Sequence, residues 1–172
     1  AAQLHPQLRK TMSTSIGEVQ IAAFGNTRMH FKVSGSQSAL PDIVLDHGGS
    51  GSADDWLLLV PMLAPHTRVL SYDRAGMGYS EPVGTPVSAS EIAQNLQKLL
   101  QAADITDDLV LIGWSAGGLY QREFYRQFPE RIKGMVLVDS AHEQQTQKLP
   151  PVAEEETINP LKFYQYLAPF GV

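Results

Sequence analysis

The chain has no cysteine. Without a thiol it forms no disulfide, offers no thiolate nucleophile and holds no cysteine-ligated zinc. Periplasmic proteins also do without cysteine, so the compartment stays open. The sequence contains no run of about 20 apolar residues, the length a membrane-spanning helix needs. Positive charge is in deficit: 13 Lys and Arg stand against 18 Asp and Glu, a formal net charge of −5. That balance supplies no global basic field for nucleic acid or an anionic membrane surface. Internal repeats, low-complexity tracts, G-x-G-x-x-G and a Walker-type lysine are missing too. The glycine-rich stretches below therefore do not read as nucleotide-phosphate loops, and no metal or organic cofactor is implied.

What is present describes a globular chain. Its 172 residues, 43% apolar and 18% charged, suffice for one domain with a sizeable core and little more. Residues 1–14 are polar and irregular and read as an N-terminal arm. Val19, Ile21 and Ala23 alternate with other residues, as do Met29, Phe31 and Val33, with Gly25-Asn26 between them; the pattern predicts a β-hairpin. Ile43-Val44-Leu45 is a short apolar strand running into Asp46-His47-Gly48-Gly49-Ser50-Gly51. A short helix is expected from Asp54 to Val60, with Pro61 disturbing its continuation, and a buried strand from Arg68 to Tyr72. Ser88 and Glu91 have capping-box spacing ahead of Ile92, Leu96, Leu99, Leu100 and Ala103 at helical intervals. A strand over 109–112 leads into a helix to about Gln127, with Tyr120, Phe124 and Phe128 on one face, ended by Pro129. Met135 to Val138 forms the next strand. From residue 40 onward strands and helices alternate. That order predicts an α/β fold, a mostly parallel sheet with helices on both faces. Right-handed crossovers gather the loops after the strands on one edge, where ligands bind.

Two of those loops carry chemistry. Gly113-Trp114-Ser115-Ala116-Gly117 follows the apolar run Leu109 to Ile112 and opens a helix. In that setting G-x-S-x-G reads as a nucleophile elbow: small residues two positions either side of the serine permit the sharp turn, and the helix behind it aims its first N–H groups at the site. The five-residue pattern alone is weak in a chain with 14 Gly; the strand before and the helix after make Ser115 the candidate nucleophile. The N–H of Ala116 is one expected oxyanion donor. The other is expected from His47-Gly48-Gly49-Ser50-Gly51 at the same edge, with Gly49 first and Ser50 next. The bland alternative for this loop is a turn that uses glycine's φ freedom.

With these motifs in this order, the sequence resembles the α/β-hydrolase superfamily, in particular its serine esterase-like members. His47-Gly48-Gly49, then Tyr72-Asp73-Arg74-Ala75-Gly76-Met77-Gly78-Tyr79-Ser80, then Gly113 to Gly118 carry the likeness, and Val136 to His142 adds a weaker fourth segment. The resemblance covers residues 16 to about 142. It implies that Asp73 to Ser80 is a structural turn bracing the nucleophile and oxyanion loops. It implies a hydrolase core over 15–141 and the start of a cap or lid over 142–172. Serine rather than aspartate at the elbow points toward esterases, lactonases and aminopeptidase-like members, and away from the family's dehalogenases and epoxide hydrolases.

The resemblance also implies a triad in the order Ser, Asp or Glu, His, and only His142 follows Ser115. Asp139 and His142 are weak candidates for acid and base, because both come from one short loop. The base must reach Ser115 while its far nitrogen reaches the acid. His5 in the arm, His30 inside a strand, His47 in the oxyanion loop and His66 at the opposite edge read as structural or solvated. Family members place the acid and histidine after a cap and two further strands. The expectation is thus an N-terminal portion ending within the cap, completed by a second polypeptide or a missing C-terminal segment that supplies acid and His. The cluster Phe163, Tyr164, Tyr166, Leu167 and Phe170 supports it, since such a cluster packs against something. Three functions follow. The first is a carboxylic ester hydrolase acting on a small-molecule ester through an acyl-enzyme at Ser115. The second is a proline-iminopeptidase-like aminopeptidase, with Glu154-Glu155-Glu156 as an amine site, a run that also reads as a solvated face. The third is a hydrolase-like binding module without its base.

Overall fold

The computed structural model describes residues 18–24, 27–83, 87–106 and 108–144. Six strands, β1 (Val19–Phe24), β2 (Thr27–Ser34), β3 (Asp42–Asp46), β4 (Val69–Tyr72), β5 (Leu109–Trp114) and β6 (Ile132–Val138), form one sheet in the order β1-β2-β4-β3-β5-β6. β3 runs parallel to β4 and β5, and β5 parallel to β6. β1 and β2 make an antiparallel hairpin in which Ile21 pairs with His30, and β2 joins β4 antiparallel. The hairpin expected from the alternating runs is present; its Gly25-Asn26 turn and the 1–14 arm lie outside the described residues.

The central strands are apolar at consecutive positions because both faces of the sheet are covered. Side chains alternate across a strand, so Val44, Leu70 and Leu111 enter one core and Leu45, Val69 and Ile112 the other. The first core is closed by helices α2 (Ala89–Ala102) and α3 (Ala116–Gln127), through Ala93, Leu96, Leu99, Leu100 and Phe124. The second is closed by a 3₁₀ turn, Ala53–Trp56, and the short helix α1 (Val60–Leu63), through Trp56, Val60 and Ala64. This is the expected α/β architecture with covering on both faces.

Two faces become defined and one local expectation changes. In β1 the inward residue is Ala22, while Val19 and Ile21 are exposed: β1 is an edge strand whose register with β2 turns 19, 21 and 23 outward. The helix anticipated over 54–60 is instead the 3₁₀ turn followed by α1, and Pro61 lies in the first turn of α1, where its missing N–H costs nothing. The inward stripe of α3 runs through Gly117, Gly118, Gln121 and Phe124; Tyr120 sits on its flank. The capping box of α2 forms as expected: Ser88 Oγ accepts from the Glu91 N–H at 3.2 Å, and Glu91 Oε2 from the Ser88 N–H at 2.9 Å. Those hydrogen bonds hold the Glu91 carboxyl below its usual value. The chain divides into compact units 1–142 and 143–172. Of the second, only Glu143 and Gln144 are described, so the aromatic cluster and Glu154-Glu155-Glu156 lie outside the described residues.

Candidate active site

The whole reversal from β5 into α3 falls on one residue. Ser115 has φ +50° and ψ −118°, a region that costs a side-chain-bearing residue about 1–3 kcal/mol. Backbone hydrogen bonds hold it there. The Ser115 N–H donates to Val138 O at 3.0 Å, and Ser115 O accepts from the N–H groups of Gly118 (3.2 Å) and Ala141 (2.9 Å). The hydroxyl does not turn back to cap α3. Close packing surrounds the turn. A Cβ on Gly113 would stand 2.5 Å from Gly118 Cα, and one on Gly117 would run into the carbonyl oxygens of Asp46 and His47. Small residues at 113 and 117 are thus a steric requirement of the elbow and of its contact with the end of β3.

The glycine-rich loop meets the elbow. A Cβ on Gly48 would lie 3.0 Å from the Trp114 ring, and one on Gly49 would lie 3.9 Å from the Ala116 Cβ. The two segments expected to supply oxyanion donors, far apart in sequence, are therefore neighbours in space. Ser50, the second choice in the loop, is exposed. The Ala116 N–H is at the N-terminus of α3, where the first amides have no intrahelical partner and the dipole favours negative charge.

Beneath the loop lies a buried polar layer. Asp46 is fully buried at the end of β3. Its Oδ2 accepts from the Tyr72 hydroxyl at 2.7 Å and from Gln121 Nε2 at 3.4 Å, and its Oδ1 pairs with Arg74 Nη1. Burial raises the Asp46 carboxyl above the usual carboxylate value, against the pull of Arg74 and Tyr72. The Tyr72 hydroxyl is raised by burial and by the Asp46 charge. Arg74 also donates to His47 O (2.7 Å) and Gly48 O (2.5 Å), and its guanidinium carbon sits 4.8 Å from the Tyr120 ring centre. His47 Nε2 accepts from the Arg74 N–H at 3.3 Å, so Nδ1 carries the proton and donates to Gly48 O at 2.8 Å. Burial first, then the Arg74 charge, push the His47 pKa down. His47 is neutral, with both ring nitrogens engaged.

The Asp73 to Ser80 turn is tied together by one carboxylate. Asp73 Oδ1 accepts from the Ala53 N–H (2.6 Å); Oδ2 accepts from the Tyr79 N–H (2.9 Å) and lies 2.8 Å from His30 Nδ1. Ser80 Oγ accepts from the His30 N–H and donates to Asp73 O. Gly78, at φ +50°, has no room for a Cβ, which would meet the Asp73 carboxyl carbon at 2.5 Å. His30 is thus a packed partner of this turn, and His66 is exposed.

After β6, Asp139 takes φ +42° and is exposed, as is His142. The side chain that packs onto the elbow from this loop is Ser140, which a Cβ on Gly118 would strike. Among the described residues, no His, Asp, Glu or Cys cluster fits a metal ion, and no helix is long and apolar enough to cross a membrane. A surface depression lined by Ser38, Leu40, Thr106 and Asp108 lies at the opposite edge of the sheet, where β3 and β5 begin.

Sequence reasoning did not find the Asp46–Tyr72–Gln121 cluster. Its available signal was Gln121 at the helical spacing of an inward face, and Asp46 closing an apolar strand.

Residues 41–168 match the family described as alpha/beta hydrolase fold, and the chain belongs to it. It is 36% identical over 101 residues to a pimeloyl-[acyl-carrier protein] methyl ester esterase of Yersinia enterocolitica, a match covering 58% of this chain and 36% of that protein. Among solved structures it resembles an alpha/beta hydrolase from Novosphingobium aromaticivorans, with a TM-score of 0.65 and 28% identity, covering 72% of this chain and 44% of that one. It also resembles the epoxide hydrolase CorEH, with a TM-score of 0.66 and 25% identity, covering 72% and 42%. The chain spans about a third of the length of the curated relatives it matches. A pimeloyl-[acyl-carrier protein] methyl ester esterase and a putative carbamate hydrolase are among these relatives.

Proposed function

We propose that this chain carries the nucleophile and oxyanion donors of a serine carboxylic-ester hydrolase acting on small-molecule esters. The observation that carries this reading is the strained backbone of Ser115, at φ +50°, between a strand and a helix and beside Gly49. Strain held in a hydroxyl-bearing residue where a strand turns sharply into a helix at the ligand-binding edge is a cost that function explains. The likeness to a methyl ester esterase supports ester chemistry. The serine at the elbow separates the chain from epoxide-opening members, which the family resemblance associates with aspartate.

In the mechanism, Ser115 Oγ loses its proton to a general base and bonds to the ester carbonyl carbon. The carbonyl oxygen becomes an oxyanion held by the N–H groups of Gly49 and Ala116. The C–O bond to the alcohol breaks, the alcohol takes the proton, and water then cleaves the acyl-enzyme the same way. The base and its acid come from outside the described residues, either from a segment C-terminal to them or from a second polypeptide. Residues 15–141 are the hydrolase core in this scheme, and 142–172 are assigned to the start of a cap or lid segment.

The test is hydrolysis of p-nitrophenyl butyrate by the full protein. Replacing Ser115 by Ala lowers kcat by about 10³-fold or more. Retained turnover in S115A contradicts the nucleophile, and faster cleavage of a proline p-nitroanilide than of the ester favours the aminopeptidase reading.

A further inference from the structure

Arg74 is almost completely buried, and two of the three oxygens it reaches are backbone carbonyls of the glycine-rich loop, His47 O at 2.7 Å and Gly48 O at 2.5 Å. Gly48 O also accepts from His47 Nδ1 at 2.8 Å and from the Gly51 N–H at 3.3 Å. The Gly48–Gly49 peptide is trans, and in a trans peptide the C=O and N–H point in opposite directions. Drawing the Gly48 carbonyl inward therefore turns the Gly49 N–H to the face of the loop away from Arg74. A cationic donor on that carbonyl also polarises the amide and strengthens its N–H as a donor.

We propose that Arg74 is a positioning residue for the oxyanion, its guanidinium fork fixing and polarising the Gly48–Gly49 peptide so that the Gly49 N–H is preset for the developing charge. This rests on the assignment of Ser115 as nucleophile. Asp46 aims the fork through Nη1, and Asp46 is held in turn by Tyr72 from β4 and Gln121 from α3. One carboxylate thus couples the helix that starts at the elbow to the loop facing it. Lysine at 74 keeps the charge but supplies a point donor in place of a planar fork.

The experiment compares R74M, R74K and S115A in the full protein with p-nitrophenyl butyrate. R74M lowers kcat by about 10²-fold. KM stays within about threefold, the mark of an interaction made in the transition state. R74K recovers part of the loss, and the Gly49 amide moves in ¹H–¹⁵N spectra of both variants. Removing one partner of a buried pair can prevent folding, so a second measurement uses the unsubstituted protein. As phenylboronic acid forms its tetrahedral adduct on Ser115, the Gly49 amide and the Arg74 Nη resonances shift together. Unchanged kcat in a folded Arg74 variant, or an adduct that shifts Gly49 and leaves Arg74 in place, overturns the proposal. Turnover retained by S115A, or an adduct on another residue, instead removes the reading of Ser115 on which it stands.

Discussion

Ser115 carries backbone strain that its neighbours fix in place, and the strain has a measurable signature. Alanine at 115 keeps a Cβ and hence the cost; glycine removes it, offset by the greater entropy of the unfolded chain. Ser115→Gly is therefore more stable than Ser115→Ala by about 1 kcal/mol, with both inactive; denaturant unfolding of the two checks it, and an equal or reversed order contradicts it. Gly117 gives a second prediction. A methyl there pushes on Asp46 O and His47 O, so Gly117→Ala destabilises by about 1–3 kcal/mol and lowers ester turnover by displacing the donor loop. The serine and both flanking glycines were legible in the sequence because a sharp strand-to-helix turn constrains residues that are adjacent in the chain. The reach of Arg74 to His47 and Gly48 was not, because it joins segments that only the sheet order brings together.

At the scale of elements, what local chemistry determines was legible and what packing determines was not. The α2 cap is local, and Ser88 and Glu91 satisfy each other's backbone groups as their spacing implies. Ser88→Ala costs about 1 kcal/mol of stability and leaves kcat for p-nitrophenyl butyrate unchanged, because α2 lies outside the loops that meet at Ser115. Equal unfolding midpoints for the variant and the parent protein contradict that cost. The inward face of β1 depends on its register with β2, and that of α3 on where Asp46 sits. Alternation and helical spacing alone therefore left open which face of β1 and of α3 turns inward. Pro61 was misread for a related reason: its effect depends on whether a helix begins or continues there, and α1 begins there.

For the molecule as a whole, alternating strands and helices were enough to imply a parallel sheet between two cores. They left hidden that the carboxyl edge of this sheet rests on a buried layer of Asp46, Tyr72, Arg74, His47 and Gln121. That layer makes stability depend on pH. His47 is held neutral in the fold, below its ordinary 6.5. As pH falls through 6.5 the unfolded chain binds the proton first, so stability rises with pH between the depressed folded value and 6.5 and is lost on acidification across that window. Asp46 acts oppositely at lower pH: its raised carboxyl takes up a proton in the fold, so stability falls as pH rises from 3.8 toward the raised value. His47→Gln removes the first contribution. Its melting temperature is lower than that of the parent protein near neutral pH and falls less steeply below about pH 6.5; parallel curves contradict the assignment of a buried neutral His47.

Covalent labelling tests directly whether Ser115 is an activated nucleophile within this architecture. The full native protein is treated with a fluorophosphonate probe, digested, and the adduct located by mass spectrometry. The predicted result is a single adduct on Ser115, abolished by prior unfolding and absent from S115A. An unlabelled Ser115, or a label carried by a different residue, contradicts it.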